Sequence, residues 1–99
     1  MSQTEVIRHQ VAICGAVFDR EGEPAAGVPV VVTDAAGAAS QRTTSRSDGT
    51  YYFLDLPDGK YVVTASLRGA EARQSAVVSR NDQGDIAIAE VDLRMAGSQ

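Results

Sequence analysis

The stretch from Thr44 to Val63 constrains this chain more than any other. It runs Asp48-Gly49, the aromatic alternation Tyr51-Tyr52-Phe53, the turn Pro57-Asp58-Gly59, and a second alternation through Tyr61, Val62 and Val63. Glycine accepts the positive φ that tight turns need, and period-two alternation marks a strand with one buried face. The pattern predicts a β-hairpin. Tyr51, Phe53 and, across a small irregularity, Leu56 point inward, and Tyr61, Val63 and Ala65 answer from the partner strand. Each such side chain taken out of water contributes on the order of 1.5–3 kcal/mol, so this pair is the expected centre of the core. The stretch holds no catalytic constellation.

The same punctuation recurs along the chain at intervals of about ten residues, as in antiparallel sandwiches. A first strand is expected over residues 10–19. Val11, Ile13, Gly15 and Val17 form one face and Ala12, Cys14, Ala16 and Phe18 the other. Two apolar faces predict a central strand covered on both sides, or covered in part by a neighbouring chain. A second strand follows Gly27, with Pro29 at a strand start or edge because it cannot donate to a ladder. A polar strand at 39–44, the two strands of the opening stretch, a strand at 71–79 and a last one at 86–93 complete the set. In the last, Ile86 and Ile88 share one face and Ala89, Val91 and Leu93 the other, which predicts a bulge near Ala89 or a strand apolar on both sides. The reading is all-β: a seven-stranded sandwich in one domain spanning residues 1–99, with its core at about 10–94. Residues 1–4 and 96–99 are expected to fray.

Ninety-nine residues can bury roughly 60–70% of their unfolded surface, enough for a core without staples. The single cysteine, Cys14, precludes an internal disulfide and reads as a buried structural thiol. A net charge of −4 with no basic run disfavours nucleic acid. No segment approaches the ~18 apolar residues of a membrane span, and the N-terminus lacks a signal-peptide pattern. A cytoplasmic location is expected, or export without a signal peptide as part of an assembly.

The spacing Gly15-x-Val17-x-Asp19-x-x-Gly22-x-Pro24-x-x-Gly27-Val28-x-Val30, joined to Thr44-x-x-x-Asp48-Gly49-x-Tyr51-x-Phe53-x-x-Leu56-Pro57-x-Gly59-x-Tyr61-x-Val63, resembles the carboxypeptidase regulatory-like domain. The resemblance covers about Val11 to Leu93. It implies a transthyretin-like (prealbumin-like) Greek-key β-sandwich, with Gly22 and Pro24 shaping the first turn, Gly49 and Gly59 closing hairpins, and Tyr51, Phe53 and Tyr61 filling the core. It also implies a domain that performs no chemistry beside a catalytic one, or that serves as a stalk, a binding module, or an adaptor on a contractile injection or secretion machine. A chain without a signal peptide fits the assembly component better than the secreted stalk.

Catalytic alternatives fail on residue inventory. The hydroxyisourate hydrolase of this fold uses several histidines and a terminal Tyr-Arg-Gly-Ser; here the one histidine is His9, expected to be solvated, and the tail carries Gly97-Ser98 without the tyrosine. One histidine also excludes paired Tyr and His iron ligands, a zinc cluster, or a Ser/His/Asp set. An isopeptide needs a first-strand lysine, whereas the only lysine, Lys60, follows a turn. Calcium would draw on the oxygen-rich loops, above all Asp82 and Asp85, but Asp, Asn and Gly are also ordinary turn formers and the spacing fits no helix–loop–helix site. No cofactor is expected.

What remains is recognition. Arginine is favoured in protein interfaces, and Arg42, Arg46 and Arg73 join Tyr52, which points opposite to Tyr51 and Phe53, as interaction candidates. The leading expectation is a non-catalytic interaction or structural module with a protein partner, including a second copy of itself. The alternative is a carbohydrate or small-ligand binder, for which one exposed tyrosine and no tryptophan give a thin basis.

Overall fold

Residues 10–95 are described by the computed structural model, and among them there is no helix. His9, Gly97, Ser98 and both segments expected to fray lie outside the described residues. The strands are β1 (Val11–Phe18), β2 (Pro29–Asp34), β3 (Ala39–Thr44), β4 (Thr50–Leu54), β5 (Gly59–Leu67), β6 (Ala70–Arg80), and three two-residue pieces, β7 (Ile86–Ala87), β8 (Ala89–Glu90) and β9 (Leu93–Arg94). They form two sheets. The large one runs β3-β2-β5-β6-β7 and is antiparallel throughout. The small one runs β4-β1-β8, with β9 pairing β1 farther along, and both of those last pairings are parallel.

The core lies between the sheets. Ile13 and Val17 from β1, Val30 and Val32 from β2, Tyr51 and Phe53 from β4, Val63 from β5 and Val78 from β6 are all nearly inaccessible to solvent. Tyr51 and Phe53 meet edge to face, with centroids 5.8 Å apart. Leu56 is buried beside them, as expected. Pro29 opens β2, where its missing donor costs no ladder bond.

Two expectations are corrected. The Thr44–Val63 stretch is not a hairpin. β4 pairs β1, whereas β5 pairs β2 and β6, so residues 55–58 carry the chain from one sheet to the other. Tyr51 and Phe53 therefore meet Tyr61 and Val63 across the core rather than along a ladder. The crossing is held by its own carbonyls. Arg80 Nη2 donates to the Leu56 oxygen at 3.2 Å, Tyr61 Oη donates to the Pro57 oxygen at 2.6 Å, and Arg80 Nη1 meets Asp58 at 2.6 Å. Gly49 likewise sits in a sheet-to-sheet crossing, between β3 and β4, not in a hairpin. The second correction concerns the last strand. Its slip in pattern is a change of sheet. β7 pairs β6, Ile88 is unpaired, and β8 pairs β1, so apolar residues switch faces because the chain switches layers.

β1 is central, between β4 and β8/β9, as expected. Its register shifts between Val11 and Ile13, which buries Ala12 and Ile13 together and moves Val11 from the inner face to the rim of the outer one. Cys14, Ala16 and Phe18, on its outer face, are only half-buried.

Candidate interaction surface

Pairing register places the four interaction candidates on opposite faces of the sandwich. On the outside of the large sheet, Arg42 pairs with Val31, Val31 with Thr64, and Thr64 with Arg73. One cross-strand row thus runs Arg42–Val31–Thr64–Arg73, with an arginine at each margin. Arg73 stands 3.9 Å from Glu71 and both are well exposed, so that ion pair contributes little. Lys60 lies exposed on the same face, in register with Val77.

The other two candidates belong to the outside of the small sheet. Tyr52 pairs with Cys14, and Cys14 with Glu90, giving a second row: Tyr52–Cys14–Glu90. Arg46 reaches back from the turn before β4 and lies over the Tyr52 ring, its guanidinium carbon 4.6 Å from the centroid. Arg46 Nη2 also donates to Tyr52 Oη at 2.9 Å. The other margin carries Glu90, then Asp92, whose Oδ1 accepts the Ala16 N–H at 3.1 Å, and ends at Arg94, in register with Phe18. Between the margins lies an open groove of about 440 Å³, lined by Val11, Cys14, Gly15, Thr50, Tyr51, Tyr52 and Ile88. Tyr52 is 39% exposed and Ile88 56%. Burial, helped by Glu90 and Asp92, raises the Cys14 pKa, so the thiol stays protonated at neutral pH and is a poor nucleophile. Cys14 is half-exposed in this groove rather than buried in the core.

The two oxygen-rich loops and the turn at Asp34 share one device. Asp19, Asp34 and Asn81 each accept, through Oδ1, the backbone N–H groups two and four residues on. Each loop closes with the same pair of backbone bonds and a glycine at positive φ: Gly22, Gly37 or Gly84. The polar side chain thus completes a type I turn with its following bulge. Asp82 and Asp85 ride exposed on the third loop. Among the described residues, no three His, Cys, Asp or Glu side chains come together as a metal cluster would require.

The sequence reading passed over two further exposed apolar residues, Val77 (59%) and Leu67 (37%). Val77 was detectable in principle, because of two adjacent valines in a strand one must face out. Leu67 lines a smaller hollow of about 270 Å³ with Asp19, Arg20, Ala25, Val28 and Met95, at the end of the sandwich where β1 and β5 finish. That hollow is assembled from four separate segments and has no local signature.

A family model described as the carboxypeptidase regulatory-like domain matches residues 12–94. The chain belongs to that family. No curated protein sequence matches it. The regulatory-like domain superposes on the Klebsiella pneumoniae 5-hydroxyisourate hydrolase with a TM-score of 0.64 at 18% identity, covering 91% of this chain and 92% of that one. It is similar to catechol 1,2-dioxygenase from Pseudomonas arvilla C-1 (TM-score 0.65, 14% identity, 97% of this chain and 54% of that one). It is also similar to BcpA, the major pilin subunit of Bacillus cereus (0.60, 11%, 89% and 29%). The chain thus spans under a third of the pilin's length and about half of the dioxygenase's. These likenesses establish the transthyretin-like sandwich expected from the motif. They carry no function, since the same body serves a pilin, a hydrolase and a ring-cleaving enzyme.

Proposed function

We propose that this regulatory-like domain is a non-catalytic interaction module, working as an adaptor or accessory component of a larger bacterial assembly such as a contractile injection or secretion machine. The observation that carries the reading is the outer face of the small sheet. An apolar groove, an exposed tyrosine topped by an arginine and a margin carrying Glu90 and Asp92 sit together on a rigid two-layer body. Aromatic and arginine anchors around a desolvated patch are the usual chemistry of protein recognition. The occurrence of a similar sandwich inside a pilin subunit is consistent with such a role, though at that identity it speaks for the fold alone. The carbohydrate alternative loses ground at the same place, because Arg46 occupies ring surface on which a sugar would stack.

Affinity capture tests the reading. The wild-type chain and an Ile88→Glu variant are each immobilised against extract of the source cell. Subunits of one assembly retained by the wild type and released by the variant are the expected result. Capture of nothing that Ile88→Glu affects, together with binding on a glycan array, would replace the reading with the carbohydrate one.

A further inference from the structure

We propose that the outer face of the small sheet pairs with itself: a second copy of this chain packs on it about a two-fold axis running along β1. The inference rests on the interaction-module reading and names one partner for its groove. What carries it is the charge order of one cross-strand row. Arg46, lying on Tyr52, marks one margin, Cys14 stands in the middle, and Glu90 marks the other.

Rotation by half a turn about an axis along β1 carries each margin onto the opposite one. The copy's Arg46–Tyr52 margin then meets Glu90, and its Glu90 meets Arg46–Tyr52. Asp92 adds a second carboxylate to the Glu90 margin while remaining tied to the Ala16 N–H. Asp48, on the turn that carries Arg46, is held by the Thr50 N–H and hydroxyl and stands near enough to Arg46 for the two charges to attract. At the level of Cys14 the face carries opposite charges at its two margins around an apolar middle, and it is self-complementary there, which is the requirement of an isologous interface. A partner of uniform charge would be repelled at one margin. Ile88 and Tyr52 supply exposed apolar surface for the groove of the opposing copy.

The patch is small. β1 has eight residues, about 27 Å at 3.4 Å per residue, and three strands span about 14 Å with their side chains. That is below the roughly 800 Å² per partner of a stable interface, so the pairing is reversible and concentration-dependent. On the axis, Cys14 faces Cys14 of the copy, with the two sheets about 10 Å apart. The chain's one cysteine is therefore a built-in reporter.

The full chain is first taken through sedimentation equilibrium from micromolar to millimolar concentration. The weight-average mass is expected to climb toward twice that of the chain and to fall back in high salt, because the marginal charges are exposed. At mildly alkaline pH, where a larger fraction of the thiol is ionised, a short bismaleimide should then capture a Cys14–Cys14 dimer. Arg46→Glu and Glu90→Arg alter exposed side chains outside the core. Each is expected to cut dimer yield about tenfold, from repulsion at two symmetry-related contacts. The double variant R46E/E90R should recover it. A chain that stays monomeric and uncrosslinked at the highest concentration overturns self-pairing. It leaves the interaction-module reading standing, because capture of a different protein by the same face is measured separately. Association indifferent to both single reversals, or not restored in the double variant, also overturns the proposal.

Discussion

The two sheets of this domain are built on different principles. The large sheet is a long ladder in which β5 pairs along its whole length with β6 and β2 lies beside β5 in clean register, with one shift at its β3 edge between Val32 and Thr33. Its hairpins close through short turns such as Asp34–Ala38 and Arg68-Gly69. The small sheet has one substantial pair, β1 with β4, and that pair contains a register shift. The rest of it consists of short parallel pieces laid against β1 by a chain that has just left the other layer. Local pattern suffices for the two hairpins of the first sheet, β2–β3 and β5–β6. The second sheet depends on close approaches between distant segments, and it is the one that carries the candidate surface.

Gly15 is where that dependence concentrates. A Cβ built there would lie 1.8 Å from the Val91 carbonyl oxygen. That carbonyl accepts the Tyr51 hydroxyl, and the Val91 N–H donates to the Cys14 oxygen at 2.7 Å. Gly15→Ala should push the 89–94 segment off β1 and loosen buried Val91 and Leu93. The expected cost is about 3–5 kcal/mol in urea unfolding. Amide exchange is the sharper readout. Val91 and Leu93 should lose protection while β5 and β6 keep theirs. Equal loss in both sheets would show that the two are one cooperative unit and that the contrast is only geometric.

This contrast also explains what could be read in advance. The six long strands, the Pro29 position, the buried face of β4 and the turns at Gly37, Gly69 and Gly84 follow from alternation and from glycine at positive φ, which are local. Alternation says that Tyr51, Phe53, Tyr61 and Val63 face a core. It does not say whether the two strands share a sheet, and so a sheet-to-sheet crossing passed for a hairpin. Likewise the slip at Ile88 was visible, but the change of layer that causes it was not. Of the surface, Tyr52 could be placed by parity, whereas Arg46 reaches it from a turn and Glu90 by a parallel pairing across most of the chain. Neither link has a spacing rule. In the two loops that suggested calcium, Asp19 and Asn81 were legible as turn formers, and that is the role their Oδ1 atoms take, while Asp82 and Asp85 stand exposed on the second.

Ser45 sharpens the comparison at the β3–β4 crossing. It is the buried polar residue among those described, accepting the Val28 N–H at 2.9 Å and donating to the Ala25 oxygen at 2.7 Å. Ser45→Ala leaves a buried donor and a buried acceptor without that partner, at an expected cost of about 1–3 kcal/mol. Ser45→Thr should recover part of it if the crossing has room for a methyl. A chemical-denaturation midpoint unchanged in Ser45→Ala would mean that water replaces the hydroxyl and that the crossing is looser than it looks.

Tyr51 offers a test by pH. Burial foremost, with Asp92 adding to it, raises its pKa well above the ordinary tyrosine value of 10.0. The folded state therefore favours the neutral phenol. The associated stability is fully present below about pH 10, where the unfolded chain begins to ionise, and is lost as pH rises from there toward the folded pKa. Tyr51→Phe should lower stability by about 1–2 kcal/mol at neutral pH through the lost bond to Val91. Its decline above pH 10 should be shallower than that of the wild type. Tyr61 and Cys14, also raised by burial, add to the slope that remains. Identical alkaline slopes in wild type and variant would remove Tyr51 from the account.

The smallest effect belongs to the large sheet and has the opposite sign. Arg68 and Gly69 form a two-residue turn between β5 and β6, with φ of 54° and 82°. Positive φ at both positions is the type I′ geometry whose preferred sequence is Asn-Gly, because asparagine tolerates the left-handed region that costs other side chains about 1–2 kcal/mol. Arg68→Asn should therefore raise stability by about 0.5–1 kcal/mol, seen as a higher urea midpoint with an unchanged slope. The added protection should appear along β5 and β6 and leave β8 and β9 as they were. A gain shared by the small sheet would mean that the long ladder sets the stability of both layers. The weakness at β1 would then lie in its contacts alone, with no independent opening of that face.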